Sequence, residues 1–189
     1  MRSISANYYW ELWESAKVSF DRMDLVENWV TRMWANHMRY RVISDRVGVP
    51  WFVVGAIHML ESSMDFRTYL GNGQKLTQKT TIVPVGRGPF SCWEDGAVDA
   101  ILRVGPLRPA AWVIPSIGLY LERYNGLGYA RRYMNSPYLW ACTNHYSRGK
   151  FVADGKFDPL AVSQQCGAMA LFKRMEEIGD LVLLPKDFV

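Results

Sequence analysis

The sequence predicts a mainly α protein of the α+β class, a helical domain with one small β-hairpin lobe. Three observations predict it. Apolar residues recur at steps of three and four through most of the 189 residues, the signature of amphipathic helices. One run, Val49 to Leu60, is apolar on nearly every face, with His58 its one conventional polar side chain. Between that run and Trp93 the pattern changes abruptly to a Gly- and Thr-rich tract.

Taken in order, Tyr8, Trp10, Leu12, Trp13, Ala16, Val18 and Phe20 predict a helix from about Asn7 to Phe20, with Asn7 as its candidate cap. A longer amphipathic helix is expected from Asp24 to about Val47, and Gly48-Val49-Pro50 stops it. His37 falls beside its apolar stripe, where a lone histidine is more often a satisfied core residue than a ligand. Pro50 stands where a first helical turn accepts proline, so the run that follows reads as a buried helix, against the pull of Val53 and Val54 toward a strand.

That helix ends in Glu61. Desolvation disfavours a charged carboxylate and raises its pKa, which makes an acid able to donate a proton near neutral pH. The competing reading is a glutamate at the helix's solvated end.

Gly71, Asn72, Gly73, Gly86 and Gly88 then mark turns, and Thr80 to Val83 a short strand, which together predict the hairpin lobe. Helical spacing returns from Trp93 to Arg103 and is closed by Pro106 and Pro109. Another helix is expected over Ala110 to Tyr124, with Pro115 either in its first turn or at a kink. The stretch from Tyr124 to Tyr133 reads as a loop and helix. Residues Asn135 to Asp158 are polar and aromatic without periodicity, and connections of that length are commonly functional. Tyr138, Trp140, Asn144, His145 and Tyr146 are its candidate sugar-binding residues. A last helix is expected from Val162 to Ile178.

The length suits one domain over residues 1–189, with residues 1–47 as N-terminal helices packed on the body. A net charge of +4 and a pI near 9.0 favour polyanionic partners. The basic residues are scattered rather than gathered in a tail, which argues for bacterial cell wall and against nucleic acid. Eight tryptophans and ten tyrosines suit sugar rings, which stack on aromatic faces, although any single one is more readily a core residue. Three cysteines, Cys92, Cys142 and Cys166, have no C-x-x-C spacing, and their odd number leaves at least one outside any internal pair.

Nothing in the first residues reads as a signal peptide and no stretch reaches eighteen apolar residues. The expectation is a product made in the cytoplasm that reaches the wall after release, monomeric, without membrane insertion, cofactor or metal. His37, His58 and His145 are far apart and no H-E-x-x-H occurs, which argues against a zinc amidase or peptidase. Cys142 and His145 are the one close Cys–His pair, and ordinary cysteine is the better account of it. No phosphate-binding glycine loop is present.

The string from Ala56 to Ser63, followed by Asp65-Phe66, resembles the catalytic glutamate segment of the lysozyme superfamily, specifically goose-type lysozymes and soluble lytic transglycosylases. Downstream, Tyr124-Asn125-Gly126-Leu127-Gly128 and Tyr133 are similar to the Tyr-Asn-Ala-Gly segment that lines the same groove in those families. Residues Asn135 to Asp158 look like a group of phage and bacterial lysozyme-family proteins, so the resemblance spans Val47 to the C-terminus. It implies a lysozyme-like fold and a peptidoglycan-cleaving glycosidase of the phage endolysin kind. Glu61 would be the catalytic acid, with Ser62, Tyr124 and Asn125 near the glycan.

One departure matters. Goose-type lysozymes carry helper aspartates in the hairpin lobe, whereas Gly71 to Gly86 contains no Asp or Glu. Gln74, Thr77 and Thr80 are the residues left to orient a water there. A lytic transglycosylase needs one carboxylate, because the sugar's own hydroxyl attacks internally. Asp65 lies four residues after Glu61, but its Ser-x-x-Asp setting reads better as a turn. A non-catalytic wall-binding or virion protein on the same scaffold is the alternative of a different class.

Overall fold

The computed structural model describes residues 6–181. In chain order these form α1 (Ala6–Ser15), a 3-10 turn (Phe20–Arg22), α2 (Met23–Ala35), α3 (His37–Val47) and α4 (Trp51–Ser62). There follow α5 (Trp93–Asp99), running on as a π-helical turn (Ala100–Val104), then α6 (Ile114–Tyr124), a 3-10 turn (Ala130–Arg132) and α7 (Pro137–Trp140). Strands β1 (Lys150–Ala153) and β2 (Lys156–Asp158) and helix α8 (Ala168–Glu177) complete the order. The described residues are therefore mainly helical with one small antiparallel sheet. They fall into two compact units, residues 32–108 and the described parts of residues 1–31 and 109–189.

In the unit of residues 32–108, α3 packs on both α4 and α5. Every residue of α4 from Phe52 to Met59 is buried, which accounts for the lack of any polar stripe in its sequence. Phe52, Val53, Val54, Ile57 and Met59 each contribute about 1.5–3 kcal/mol by leaving water. Pro50 precedes the first turn, as its fixed φ suits.

The single long helix expected over Asp24 to Val47 is two helices. At Asn36 the backbone leaves the α region (φ −111°, ψ 8°), and the Asn36 side-chain amide donates to the Arg32 carbonyl oxygen at 2.9 Å. An asparagine that bonds its own helix backbone competes with the ladder and breaks it.

The hairpin expected between Glu61 and Trp93 does not form. Residues 80–83 are not a strand, and this tract holds one isolated bridge, Thr68 to Lys75, within a chain of turns. Side-chain hydrogen bonds from Gln74, Thr80 and Asn72 supply the links that a ladder would otherwise make. The two-stranded sheet lies instead inside the stretch read as aperiodic, with Lys150 opposite Asp158 and Phe151 opposite Phe157.

In the other unit, α6 packs on α1 and α7, and α7 on α8. Gly118 makes the first contact possible, because a Cβ there would stand 2.6 Å from the Tyr9 ring. Pro115 lies in the first turn of α6 with no kink, and Ser116 Oγ accepts from the Val113 amide at 3.1 Å. The first helix stops at Ser15, short of Phe20, and the last begins at Ala168 rather than Val162. Cys142 and Cys166 form a disulfide that ties the end of α7 to the start of α8, and Cys92 is free and exposed.

Candidate functional site

Glu61 lies half-buried in the last turn of α4. Immediately after it Ser63 (φ 53°) and Met64 (φ 59°) are both left-handed, a conformation that costs a non-glycine residue about 1–3 kcal/mol. Three bonds hold the reversal. Ser63 N donates to Met59 O at 2.9 Å, Met64 N to His58 O at 3.1 Å, and Arg32 Nη2 to Ser63 O at 2.9 Å. Burial of the Met64 side chain adds to them. The neighbouring Ser62 hydroxyl donates back to His58 O at 3.2 Å.

The turn is bolted to the helices beneath by aromatic rings. His58 is fully buried, its Nδ1 3.1 Å from the Tyr40 hydroxyl. Phe66 and Trp93 lie 4.6 and 4.5 Å from its ring. Burial pushes the imidazole down to about 4, with a backbone hydrogen bond at Asp65 opposing the shift, so the ring is neutral at physiological pH. The Arg39 guanidinium covers Phe66 at 3.8 Å and donates to Glu94 at 2.7 Å. An open cavity of about 630 Å³, lined by Arg32 and residues 62–67, lies on this turn.

The tract after the turn is fastened at two points. Tyr69 stacks on Phe90 at 5.2 Å and donates to Asp99 at 2.8 Å, while Arg87 grips the same carboxylate through both Nε and Nη2. Gln74 is the second fastening. Its Oε1 accepts from Thr81 N at 2.8 Å and Ile82 N at 3.2 Å, and its Nε2 donates to Thr81 Oγ1 at 2.9 Å. Thr80 is buried, donating to Pro84 O and accepting from Arg87 N at 2.9 Å. Of the three residues expected to orient a water, Gln74 and Thr80 are thus committed to the loop's own backbone, and Thr77 alone is exposed without such a role.

The other carboxylates of this unit from residue 62 onward are all in ion pairs: Asp65 with Arg67, Glu94 with Arg39, Asp95 with Arg46 and Asp99 with Arg87. Asp65 lies outside the helix, and hydrogen bonds from Arg67 hold its carboxyl down to about 2. That makes it a poor proton donor and supports its reading as a turn residue.

The comparisons with protein-family models, with curated proteins and with solved structures each find no match.

The remaining candidates belong to the other unit. Tyr124 is half-buried at the end of α6, and Asn125 is exposed with its amide 3.4 Å from Ser136 Oγ. Trp140 is 1% exposed, so its ring is core and presents no face to a sugar. Tyr138 is half-buried. Asn144 and His145 stitch their segment to the end of α1: Asn144 Oδ1 accepts from Lys17 N at 2.8 Å, its Nδ2 donates to Ser15 O at 3.0 Å, and His145 Nε2 lies 2.8 Å from Leu12 O. The Tyr146 hydroxyl accepts from Ser163 N at 3.1 Å and donates to Gly149 O at 3.3 Å. The aperiodic look of this segment thus has a structural cause, since its polar groups replace helix and sheet bonds.

Sequence reasoning missed Glu122. It is 3% exposed in α6, its Oε1 has no hydrogen-bond partner among the described residues, and burial pushes its carboxyl up to about 7. A signal was present. Glu122 follows Gly118 by four and Ile114 by eight, which places it on the buried face of the helix.

Proposed function

We propose that this chain is a peptidoglycan-degrading glycosidase that cleaves the β-1,4 bond between N-acetylmuramic acid and N-acetylglucosamine, with Glu61 as general acid and base. The observation that carries the reading is the setting of Glu61. It is a partly buried carboxyl on the last turn of a helix whose preceding residues are apolar except for the buried His58, beside a turn of fixed backbone and an adjoining cavity. Such a group can protonate a glycosidic oxygen and then take a proton back. The lysozyme-superfamily resemblance of the Glu61 and Tyr124-Asn125 segments supplies the substrate class, and the basic charge suits an anionic wall.

One observation favours a second reading, the lytic transglycosylase. Gln74 and Thr80 are spent on the loop backbone, and Asp65 and Asp99 on arginines. A mechanism with one carboxylate and an internal hydroxyl asks for nothing further. Mass spectrometry of digested, purified peptidoglycan separates the two: reducing muramic ends mean hydrolysis and 1,6-anhydro ends mean transglycosylation. Intact glycan after prolonged digestion, with wall binding retained, would leave the non-catalytic binder.

A further inference from the structure

Glu122 has no part in the reaction above, and its surroundings give it another. It sits on the face of α6 that meets α1, where Gly118 lets the Tyr9 ring close on the helix. From α1, Tyr9 and Tyr8 face this seam, and from the loop after α6, Tyr129. Arg123 of α6 itself acts on Tyr9, and α7, the other helix packed on α6, carries Tyr138 as its one titratable side chain. Among the described ion pairs none includes Glu122. Apart from the Arg123 guanidinium, the neighbours are thus phenols, which are neutral acids at physiological pH.

We propose that Glu122 is a pH-sensitive latch of this unit: as the neutral acid it lets α1 close on α6, and its ionisation loosens that seam. The cause is desolvation. A carboxylate with an unpartnered oxygen and 3% exposure is costly, whereas the protonated form is tolerated.

The sign follows by linkage. The folded carboxyl, raised to about 7, holds its proton where a solvated one near 4.5 has lost it. The stability that the latch contributes is therefore complete below pH 4.5, declines as pH rises through 7, and stays low above. Between pH 6 and pH 8 the opening equilibrium of the seam should rise about tenfold, from the difference between those two values.

Two measurements on the full chain test this. The side-chain carbon-13 resonance of Glu122 in the wild-type protein should titrate near neutrality, and a midpoint below pH 5 overturns the proposal. Hydrogen exchange of the α1 amides, corrected for intrinsic rate, should accelerate about tenfold from pH 6 to pH 8 in the wild type and stay level in Glu122→Gln. Equal pH profiles in the two proteins overturn it as well. Should the variant fail to fold, the wild-type titration decides alone. Neither readout depends on glycan cleavage.

Discussion

Gly73 lies against the carbonyl oxygen of Glu61. A Cβ at Gly73 would stand 3.1 Å from that oxygen, and the backbone there is left-handed, with φ +71°. The loop that follows the turn is thereby laid on the end of α4, and glycine alone allows it without strain. Gly73→Ala should cost about 1–3 kcal/mol, measured by urea denaturation. An unchanged midpoint would mean that the loop is not seated on the helix end.

Glu61→Gln should abolish cleavage of purified peptidoglycan while leaving the melting temperature nearly unchanged. The amide matches the carboxyl in shape and cannot transfer a proton. General acid–base catalysis contributes about a hundredfold to ten-thousandfold, and one group serving both steps puts the loss at the upper end. Wild-type lysis by this variant would remove Glu61 from the reaction.

The Tyr69 hydroxyl donates to Asp99 beside Arg87. Tyr69→Phe deletes that bond and keeps the stacking on Phe90, so thermal unfolding should report a loss of about 1–2 kcal/mol. A neutral result would show that Arg87 alone satisfies the carboxylate.

Acid should weaken the unit of residues 32–108 through His58. Its folded value near 4 lies below the ordinary 6.5, so the stability it represents is present above pH 6.5 and is lost as pH falls through 4. The difference corresponds to about 3 kcal/mol. Glu122 acts in the opposite direction over an overlapping range, which flattens the wild-type profile wherever both units unfold together. The melting temperature of Glu122→Gln should accordingly fall more steeply on acidification than that of the wild type, and that of His58→Gln less steeply. Parallel curves for His58→Gln and the wild type would contradict a buried neutral histidine.

Reduction of Cys142–Cys166 should destabilise its unit by about 3 kcal/mol, from a closed loop with sequence separation 24. Calorimetry with and without reductant, with Cys142→Ser as control, checks the figure. The Cys142→Ser protein should then be insensitive to reductant.

What the sequence by itself determined is the set of elements driven by burial. The run from Val49, apolar but for His58, announced α4, three-and-four spacing announced most of the other helices, and Gly48-Val49-Pro50 separated α3 from α4, because apolar periodicity and missing backbone donors act locally. The same logic reached Glu61 as the polar end of a buried helix. It stopped at competition between local and tertiary bonds. Nothing local decided that Asn36 would cap back on Arg32 and split a helix, or that Thr80 to Val83 would be held by Gln74 instead of by a partner strand.

The tertiary structure also decided which polar residues are spent. Trp140, Asn144, His145 and Tyr146 look like binding residues in sequence because they are polar or aromatic and aperiodic. In the fold Trp140 is core, and the other three satisfy the backbone of a segment without regular bonds. Cys142 and Cys166 gave no spacing signal, since the packing of α7 on α8 is what brings them together. Glu122 shows the converse: its register on the apolar face of α6 was visible, but desolvation without a partner depends on what α1 and its neighbours place around it, and that is a property of the assembled unit.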